Sequence, residues 1–400
     1  MINVHYFYTP SFSNANDIKL ERNSHFSTAR LEHTNLGLAL HLSFLLDLSL
    51  THLTSTPIIS YQITLYFPQS QPLSASVMIA EKLERSGFYG LPEYAIQLGI
   101  KIVFLDLNEP IANQGHFDLI VHKITDVVGK MHRGDEISAA QFDNFLRFCE
   151  SHPKVIIMDT WENVEKVINR SKLHWLLEKS IEFKPPQNKG QLFSVPKSIS
   201  LESFDMRSEA LNMKFPIICK RSKACASVSS HQMTIIPTLN AMSKVTGYGK
   251  NEQVILQEFI QHGGILIKVY VLDKHVYPAL RPSFKDLNQN CDVFHFDSQI
   301  LPKSFHSSSK LLNGLDKVMS ISNEDVEKRI YETLDYDRLE KIADVLRHQI
   351  GLTFFGFDVI LEAKTNNHYL VDVNYFPSFS NVPKFHEIFV SILLQKLNNP

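Results

Sequence analysis

Between Thr353 and Phe376 the chain alternates in a way that leaves little freedom of fold. In Phe354–Leu361, the residues Phe355, Phe357, Val359 and Leu361 fall at every second position, with Gly356 and Asp358 between them. A period of two is that of a strand, so the apolar side chains share one face and Gly356 and Asp358 share the other. His368–Tyr375 repeats the pattern: Tyr369, Val371, Val373 and Tyr375 lie on one face, and Leu370, Asp372 and Asn374 on the other. The polar Glu362–Asn367 between them is turn-like. An antiparallel hairpin centred on Thr365 sets Leu361 opposite Tyr369, Val359 opposite Val371, Phe357 opposite Val373 and Phe355 opposite Tyr375. Burial of the apolar face decides which side points inward, and the pattern fixes the pairing to within a slip of two residues.

That register puts Asp358 opposite Asp372, with Asn374 two residues on. Directly opposed carboxylates have Cβ atoms about 4.5–5.5 Å apart and repel, so something positive must offset the cost. Hard oxygen donors in this arrangement suit Mg²⁺, which typically takes one or two carboxylates and completes its shell with waters and phosphate oxygens. The alternative is a solvated polar face on an edge hairpin.

The rest of the chain divides by rhythm. Residues 1–70 are rich in Ser, Thr, Asn and His and show no strand–helix alternation; they are expected to form a poorly ordered extension. Within them Leu36–Leu53 is apolar, but His41, Asp47 and His52 favour an amphipathic helix or an unordered stretch over a membrane span. Residues 71–172 alternate strand and helix: strands over Ser76–Ala80, Ile100–Leu105, Asp118–His122 and Val155–Asp159, helices around Tyr89–Leu98 and Ser138–Glu150. The helix Ser138–Glu150 carries Phe142, Phe145, Leu146 and Cys149 at helical spacing. This is the pattern of a small α/β lobe with a mostly parallel sheet. After the proline-bearing linker Phe183–Gly190, the central part (173–262) and the C-terminal part (263–400) are richer in strands. Strands are expected at Phe215–Lys220, Gln253–Ile260, Gly264–Leu272 and His275–Leu280, and a long helical region over about Asn323–Ile350.

A net charge of −2 gives no global field for nucleic acid or an anionic substrate, so any anion site must come from a local cluster. The cysteines Cys149, Cys219, Cys225 and Cys291 form no CxxC pair and no zinc spacing, which fits free thiols in a reducing compartment. There is no GxxxxGK[ST] loop and no HRD or DFG set, which excludes P-loop enzymes and protein kinases, and no GxSxG elbow is found. Gly247-Tyr248-Gly249-Lys250 is only a lookalike.

Lys220 ends an apolar strand, where it can reach a phosphate or simply sit at the strand end. Gln257-Glu258-Phe259-Ile260 closes another strand; backbone groups at such a passage can read an adenine edge. Lys268 lies opposite the apolar face of Gly264–Leu272, with Arg281 across the next turn. The pair reads either as an anion site or as cations snorkelling from a hairpin surface.

Taken together, these blocks resemble the inositol-tetrakisphosphate 1-kinase family, also called the inositol 1,3,4-trisphosphate 5/6-kinases. The resemblance runs through Gln114-Gly115, His122-Lys123-Ile124-Thr125-Asp126, Asn169-Arg170-Ser171-Lys172, Phe215–Lys220, Ser230-His231, Val254–Ile260, Ile267–Val271, Arg281-Pro282-Ser283, Phe355-Gly356-Phe357-Asp358 and Asp372-Val373-Asn374-Tyr375-Phe376-Pro377. It implies an α/β (α+β) ATP-grasp fold, in which two lobes clamp ATP, and an ATP-dependent kinase. Its acceptors would be inositol 1,3,4-trisphosphate, at the 5- or 6-hydroxyl, and inositol 3,4,5,6-tetrakisphosphate, at the 1-hydroxyl. Asp358, Asp372 and Asn374 would hold Mg²⁺, two ions per ATP. Arg170, Lys220, Gln257, Glu258, Phe259, Ile260, Lys268, Ser283 and Ser298 would bind the nucleotide. Lys82, Lys123, His231, Lys268, Arg281 and Asn374 would face the inositol phosphate, with Lys268 and Arg281 the catalytic cations. No nucleic acid or membrane partner is implied, and a cytoplasmic monomer is expected.

The chain departs from the family pattern in three places. The loop Arg221–His231 is one residue longer than usual and lacks a glycine, so it must approach phosphates without glycine's conformational freedom. Ser378 replaces a glycine, and the lysine-rich opening strand is reduced to Glu81-Lys82-Leu83-Glu84-Arg85. These departures keep a non-catalytic inositol phosphate binder in view. An ATP-grasp ligase would share the metal hairpin but has less need of Lys123, Lys268 and Arg281.

Overall fold

The structure, a computed structural model, describes residues 61–66, 86–182, 191–223, 228–249, 251–305, 319, 328, 331–332 and 334–398. All of them lie in one compact unit, Ile58–Pro400. The expected strand at Ser76–Ala80, the apolar stretch Leu36–Leu53, the linker Phe183–Gly190 and Lys82 lie outside the described residues.

The N-terminal sheet is parallel, with strands β1 (Tyr61–Tyr66), β2 (Ile100–Phe104), β3 (Leu119–His122) and β4 (Ile156–Met158) in the order β2-β1-β3-β4. The assignment of residues 1–70 to an extension is corrected here: Tyr61–Tyr66 supplies an inner strand, paired on both edges. Its polar and apolar residues alternate too briefly to stand out beside the Ser- and Thr-rich sequence around it. The helices are α1 (Leu91–Ile96), α2 (Thr125–Met131), α3 (Glu136–Ser151), α4 (Trp161–Ile168) and α5 (Arg170–Glu182). Helix α3 starts where the Asp135 carboxylate accepts the Ile137 and Ser138 N–H groups, and it buries Phe145 and Phe148 against Phe117 and Ile120. A lobe boundary at residue 172 falls inside α5, so that helix belongs to both sides of it.

The central sheet is antiparallel. It contains β5 (Ser198–Leu201), β6 (Ile217–Arg221), β7 (Gln232–Ile236) and β8 (Val254–Glu258). Strand β6 alternates sharply. Ile217 and Cys219 enter one buried cluster with Ile236 and Leu256, which turns Ile218 and Lys220 to the other face. A hairpin follows, β9 (Ile265–Leu272) and β10 (His275–Pro282), turning at Asp273-Lys274. Strand β11 (Phe294–Asp297) then returns to the central sheet beside β7, so the C-terminal segment completes the lobe before it.

Helix α6 (Tyr336–Ile350) buries Leu339, Ile342, Ala343, Leu346 and Ile350, the stripe that its spacing predicts. Within the expected helical region Asn323–Ile350, Lys328, Tyr331 and Glu332 are also helical among the described residues, and Leu334 and Asp335 separate them from α6. Asp335 caps its first turn by accepting the Arg338 N–H, and Gly351 ends it at φ 82°. Strands β12 (Phe354–Leu361) and β13 (His368–Tyr375) complete a sheet of order β10-β9-β12-β13, against which α7 (Phe385–Asn398) packs Phe389 and Leu393.

The hairpin register agrees with the alternation from Phe355–Tyr375 through Asp358–Asp372, and then changes. A bulge at Asp358/Val359 pairs Val359 with Leu370 and Leu361 with His368, in place of Val371 and Tyr369. Val371 is the extra residue. Beyond it the faces exchange, so that Leu370 is in the core and Val371 is only half-buried. A bulge of this kind re-aims the side chains beside it.

Candidate functional site

Three charged residues stand in a row across the third sheet. Lys268 on β9 is paired with Asp358 on β12, and Asp358 with Asp372 on β13. The Lys268 ammonium is 2.8 Å from Oδ1 of Asp358. The positive group that offsets the opposed carboxylates is thus built into the sheet. Lys268 reaches it across Gly356: a Cβ there would lie 3.5 Å from Lys268 Cε and 3.0 Å from the Val269 carbonyl. Glycine lets the neighbouring strand and the Lys268 side chain approach closely here.

The central sheet supplies the opposite wall. Lys220, buried on β6, donates to Gln257 Oε1 at 2.6 Å. Burial brings the Lys220 ammonium down to about 8, opposed by the charges of Asp372 and Asp358 and reinforced by that of Arg170. Those charges act on Lys220 because the two sheets face one another here. Arg170 opens α5, buried, and its Nη1 donates to the Arg221 carbonyl at 2.9 Å. His231 follows the Arg221–His231 loop and is held by its own carbonyl, which accepts the Ser298 N–H at 2.8 Å. Its pKa falls through burial and the Arg170 charge, against the pull of Asp297 and Asp372. Arg170, Lys220, Gln257 and Asp372 line one narrow cleft together with His174 and Val371.

The other sequence candidates lie around this cluster. Arg281 Nη2 donates to the Tyr270 hydroxyl at 2.7 Å. In the register these two flank the Lys268–Ala279 pair, so the small Ala279 leaves room for them to meet beside Lys268. Asn374 is paired with Gly356, next to the acids. Glu258 accepts the Lys214 N–H at 2.8 Å, and Phe259 is buried with Phe284 and Phe296, which seats Gln257–Ile260 firmly between the sheets. Ser283 is buried against the His262 ring, Oγ to Nε2 at 2.8 Å, while Nδ1 of the same ring meets the Ile260 carbonyl at 2.7 Å. A carbonyl can only accept, so Nδ1 carries the proton and Ser283 donates to Nε2. Lys123 follows β3 directly and is bracketed by contacts from Tyr375 and the His122 ring.

Sequence reasoning missed His174, His262 and Asp297. Each is a single polar residue in an apolar or loop context, with nothing at a fixed spacing to mark it. It also passed over His122 and Tyr375, although both sit inside blocks that it singled out. Among the described residues no group of three or more His, Cys, Asp and Glu could hold a metal, and no helix is long and apolar enough to cross a membrane. Cys149, Cys219 and Cys291 are free thiols.

The fold and the sequence point to the same relatives. The architecture resembles that of a D-cycloserine synthetase, with a TM-score of 0.50 at 11% identity over 84% of this chain and 99% of that one. At such identity this speaks for the fold alone, an ATP-grasp fold. An inositol-tetrakisphosphate 1-kinase of Xenopus laevis is 27% identical over 81% of this chain and 78% of that protein. Inositol-tetrakisphosphate 1-kinase 1 of Arabidopsis thaliana is 31% identical over 74% of this chain and 87% of that protein. Residues 77–164 match the pre-ATP-grasp domain of the inositol 1,3,4-trisphosphate 5/6-kinases and residues 187–395 match their ATP-grasp domain. With both domains present in order, and the paired acids and buried lysines lying in the second, this chain is a member of the inositol 1,3,4-trisphosphate 5/6-kinase family.

Proposed function

We propose that the chain transfers the γ-phosphoryl group of ATP to a free hydroxyl of an inositol polyphosphate. The acceptors are inositol 1,3,4-trisphosphate, at the 5- or 6-hydroxyl, and inositol 3,4,5,6-tetrakisphosphate, at the 1-hydroxyl. The observation that carries this reading is the meeting of the Lys268–Asp358–Asp372 row with Lys220 and Arg170 across one cleft.

Asp358 Oδ1 is closed to solvent, with the Lys268 ammonium 2.8 Å away as its charged neighbour. With Asp372 and the amide oxygen of Asn374, it makes a short set of hard oxygen donors that fits Mg²⁺. These residues would hold the metal, at two ions per ATP. Mg²⁺ when bound offsets the charge of the β- and γ-phosphates. The chain's own residues do the positioning. Lys220 and Arg170 present cations from the central sheet to the phosphates, Gln257–Ile260 lie along the base, and Ser283 and Ser298 border the nucleotide. Lys123, His231, Lys268 and Arg281 gather the acceptor's phosphates. Lys268 belongs both to the acidic row and to that group, which suits it to offset the charge that builds up as the phosphoryl group moves. No side chain forms a covalent intermediate; the acceptor hydroxyl attacks in line.

Incubation with Mg-ATP and inositol 1,3,4-trisphosphate, followed by isomer-resolved analysis, should yield ADP and a tetrakisphosphate in equal amounts. Binding without turnover would replace the kinase by a binder, and turnover only with a carboxylate and an amine would replace it by a ligase.

A further inference from the structure

His122 and Asp159 join the end of the N-terminal sheet to both strands of the acidic hairpin at its open end. The buried Asp159 carboxylate accepts the Thr353 N–H at 2.7 Å and the Phe354 N–H at 3.1 Å, at the root of β12. Its own carbonyl lies 2.6 Å from His122 Nε2. The Tyr375 hydroxyl, at the end of β13, donates to the His122 carbonyl at 2.7 Å. The Ile124 N–H points to His122 Nδ1 at 3.4 Å.

These contacts are mutually consistent only for one form of the histidine. Nε2 must donate to a carbonyl, and Nδ1 must accept from an N–H, so the ring is neutral with its proton on Nε2. Burial holds it neutral, at about 4. Lys123 therefore sits on a backbone pinned on both sides: the preceding carbonyl is held by Tyr375, and the following N–H is held by the ring of His122. Tyr375 is the neighbour of Asn374 in β13. All three side chains are buried, and none of them lines the cleft between Arg170, Lys220 and Asp372.

We propose that His122, Asp159 and Tyr375 form a positioning clamp that sets the spacing between Lys123, on the acceptor side, and the metal-bearing hairpin, so that the acceptor hydroxyl is held in line with the γ-phosphate. The proposal rests on the kinase reading above. It makes the three positioning residues, acting through Lys123 and Asn374. Loss of the clamp leaves both half-sites intact and lets them drift relative to one another; an error of about 1 Å in such an alignment costs on the order of 10²-fold in rate.

Tyr375→Phe removes one hydroxyl and keeps the ring that packs in the core. We expect it to melt within a few degrees of the wild type and to keep its KM for ATP within about twofold. Its kcat for inositol phosphate phosphorylation should fall about 10- to 100-fold. The ratio of ADP formed to inositol phosphorylated should rise above that of the wild type, because misaligned acceptor lets water compete. A purely structural role would lower active enzyme without moving that ratio. Should Tyr375→Phe not fold, His122→Gln carries the same expectation, since its amide can still donate to the Asp159 carbonyl but offers Ile124 no ring acceptor. Unchanged kcat and an unchanged product ratio in a folded variant would overturn the clamp. Absence of phosphorylation by the wild type would instead overturn the kinase reading.

Discussion

Lys268 and Asp358 are paired across β9 and β12, and their charged atoms stand 2.8 Å apart with both side chains largely buried. The pair has two tasks that oppose each other. As the structure stands, it neutralises a carboxylate that faces a second one; on the kinase reading proposed above, metal and nucleotide would take over that task and leave the ammonium to the phosphates.

Removal of Lys268 should therefore show in stability as well as in activity. Lys268→Met leaves Asp358 beside Asp372 with no cation of its own in the sheet. Breaking a buried pair by removing one partner costs about 3 kcal/mol or more. Thermal melts should show the loss in the metal-free protein and its partial recovery on adding Mg²⁺. The double variant Lys268→Met, Asp358→Asn should regain stability without regaining phosphorylation. A single variant as stable as the wild type would remove the pair from this role.

Asp372→Asn separates metal binding from folding in the opposite direction. It lifts the repulsion with Asp358 and leaves the Lys268–Asp358 pair in place. The metal-free protein should melt within about 2 °C of the wild type. Phosphorylation should fall on the order of 10²-fold or more, because the proposed Mg²⁺ site would lose one of its two charged oxygen donors. Partial rescue at high Mg²⁺ would strengthen the assignment; full activity at ordinary Mg²⁺ would end it.

The hairpin was legible because its two periods are unambiguous: alternation placed Asp358 opposite Asp372, as observed. Alternation could not reveal the bulge. Val371 and Leu370 are both apolar, so the change of face at this point leaves no mark in the pattern. Lys268 was assigned to the correct face of β9, but its pairing with Asp358 depends on which strands adjoin, and strand order is not written in a period of two. The same holds for the meeting of Lys220 with the acids, since it depends on two sheets facing one another. Tyr61–Tyr66 was lost in a polar stretch, and only its partners on both edges mark it as a strand. His122, Asp159 and Tyr375 are far apart in sequence, and only the fold brings them together.

Gly356 gives a test of the path by which Lys268 reaches Asp358. A methyl group at this position would press on the Val269 carbonyl at 3.0 Å and lie close to the Lys268 chain. Backbone on a central strand cannot yield cheaply. Gly356→Ala should destabilise by about 1–3 kcal/mol, and should weaken Mg-ATP binding more than Lys123→Ala does. Equal stability and nucleotide affinity to the wild type would show that the lysine takes another route.

If Lys220 meets the nucleotide's phosphates as proposed, its buried ammonium makes nucleotide binding a proton-linked event. Its pKa in the free protein is about 8, brought down from the ordinary 10.5 by burial. A depressed lysine holds fewer protons in the folded than in the unfolded chain between those values. The metal-free protein should therefore gain stability as pH rises through that window. A triphosphate beside Lys220 acts in the other direction, since it favours the charged form and raises the pKa again. ATP binding at pH 8.5 should then take up a proton, up to about one per site, and affinity should decline as pH rises above 8. Calorimetry in two buffers of different ionisation heat measures that uptake directly, and Lys220→Met should abolish the difference. Identical buffer dependence in wild type and variant would show that Lys220 stays charged throughout, and that the carboxylates of Asp358 and Asp372 outweigh its burial.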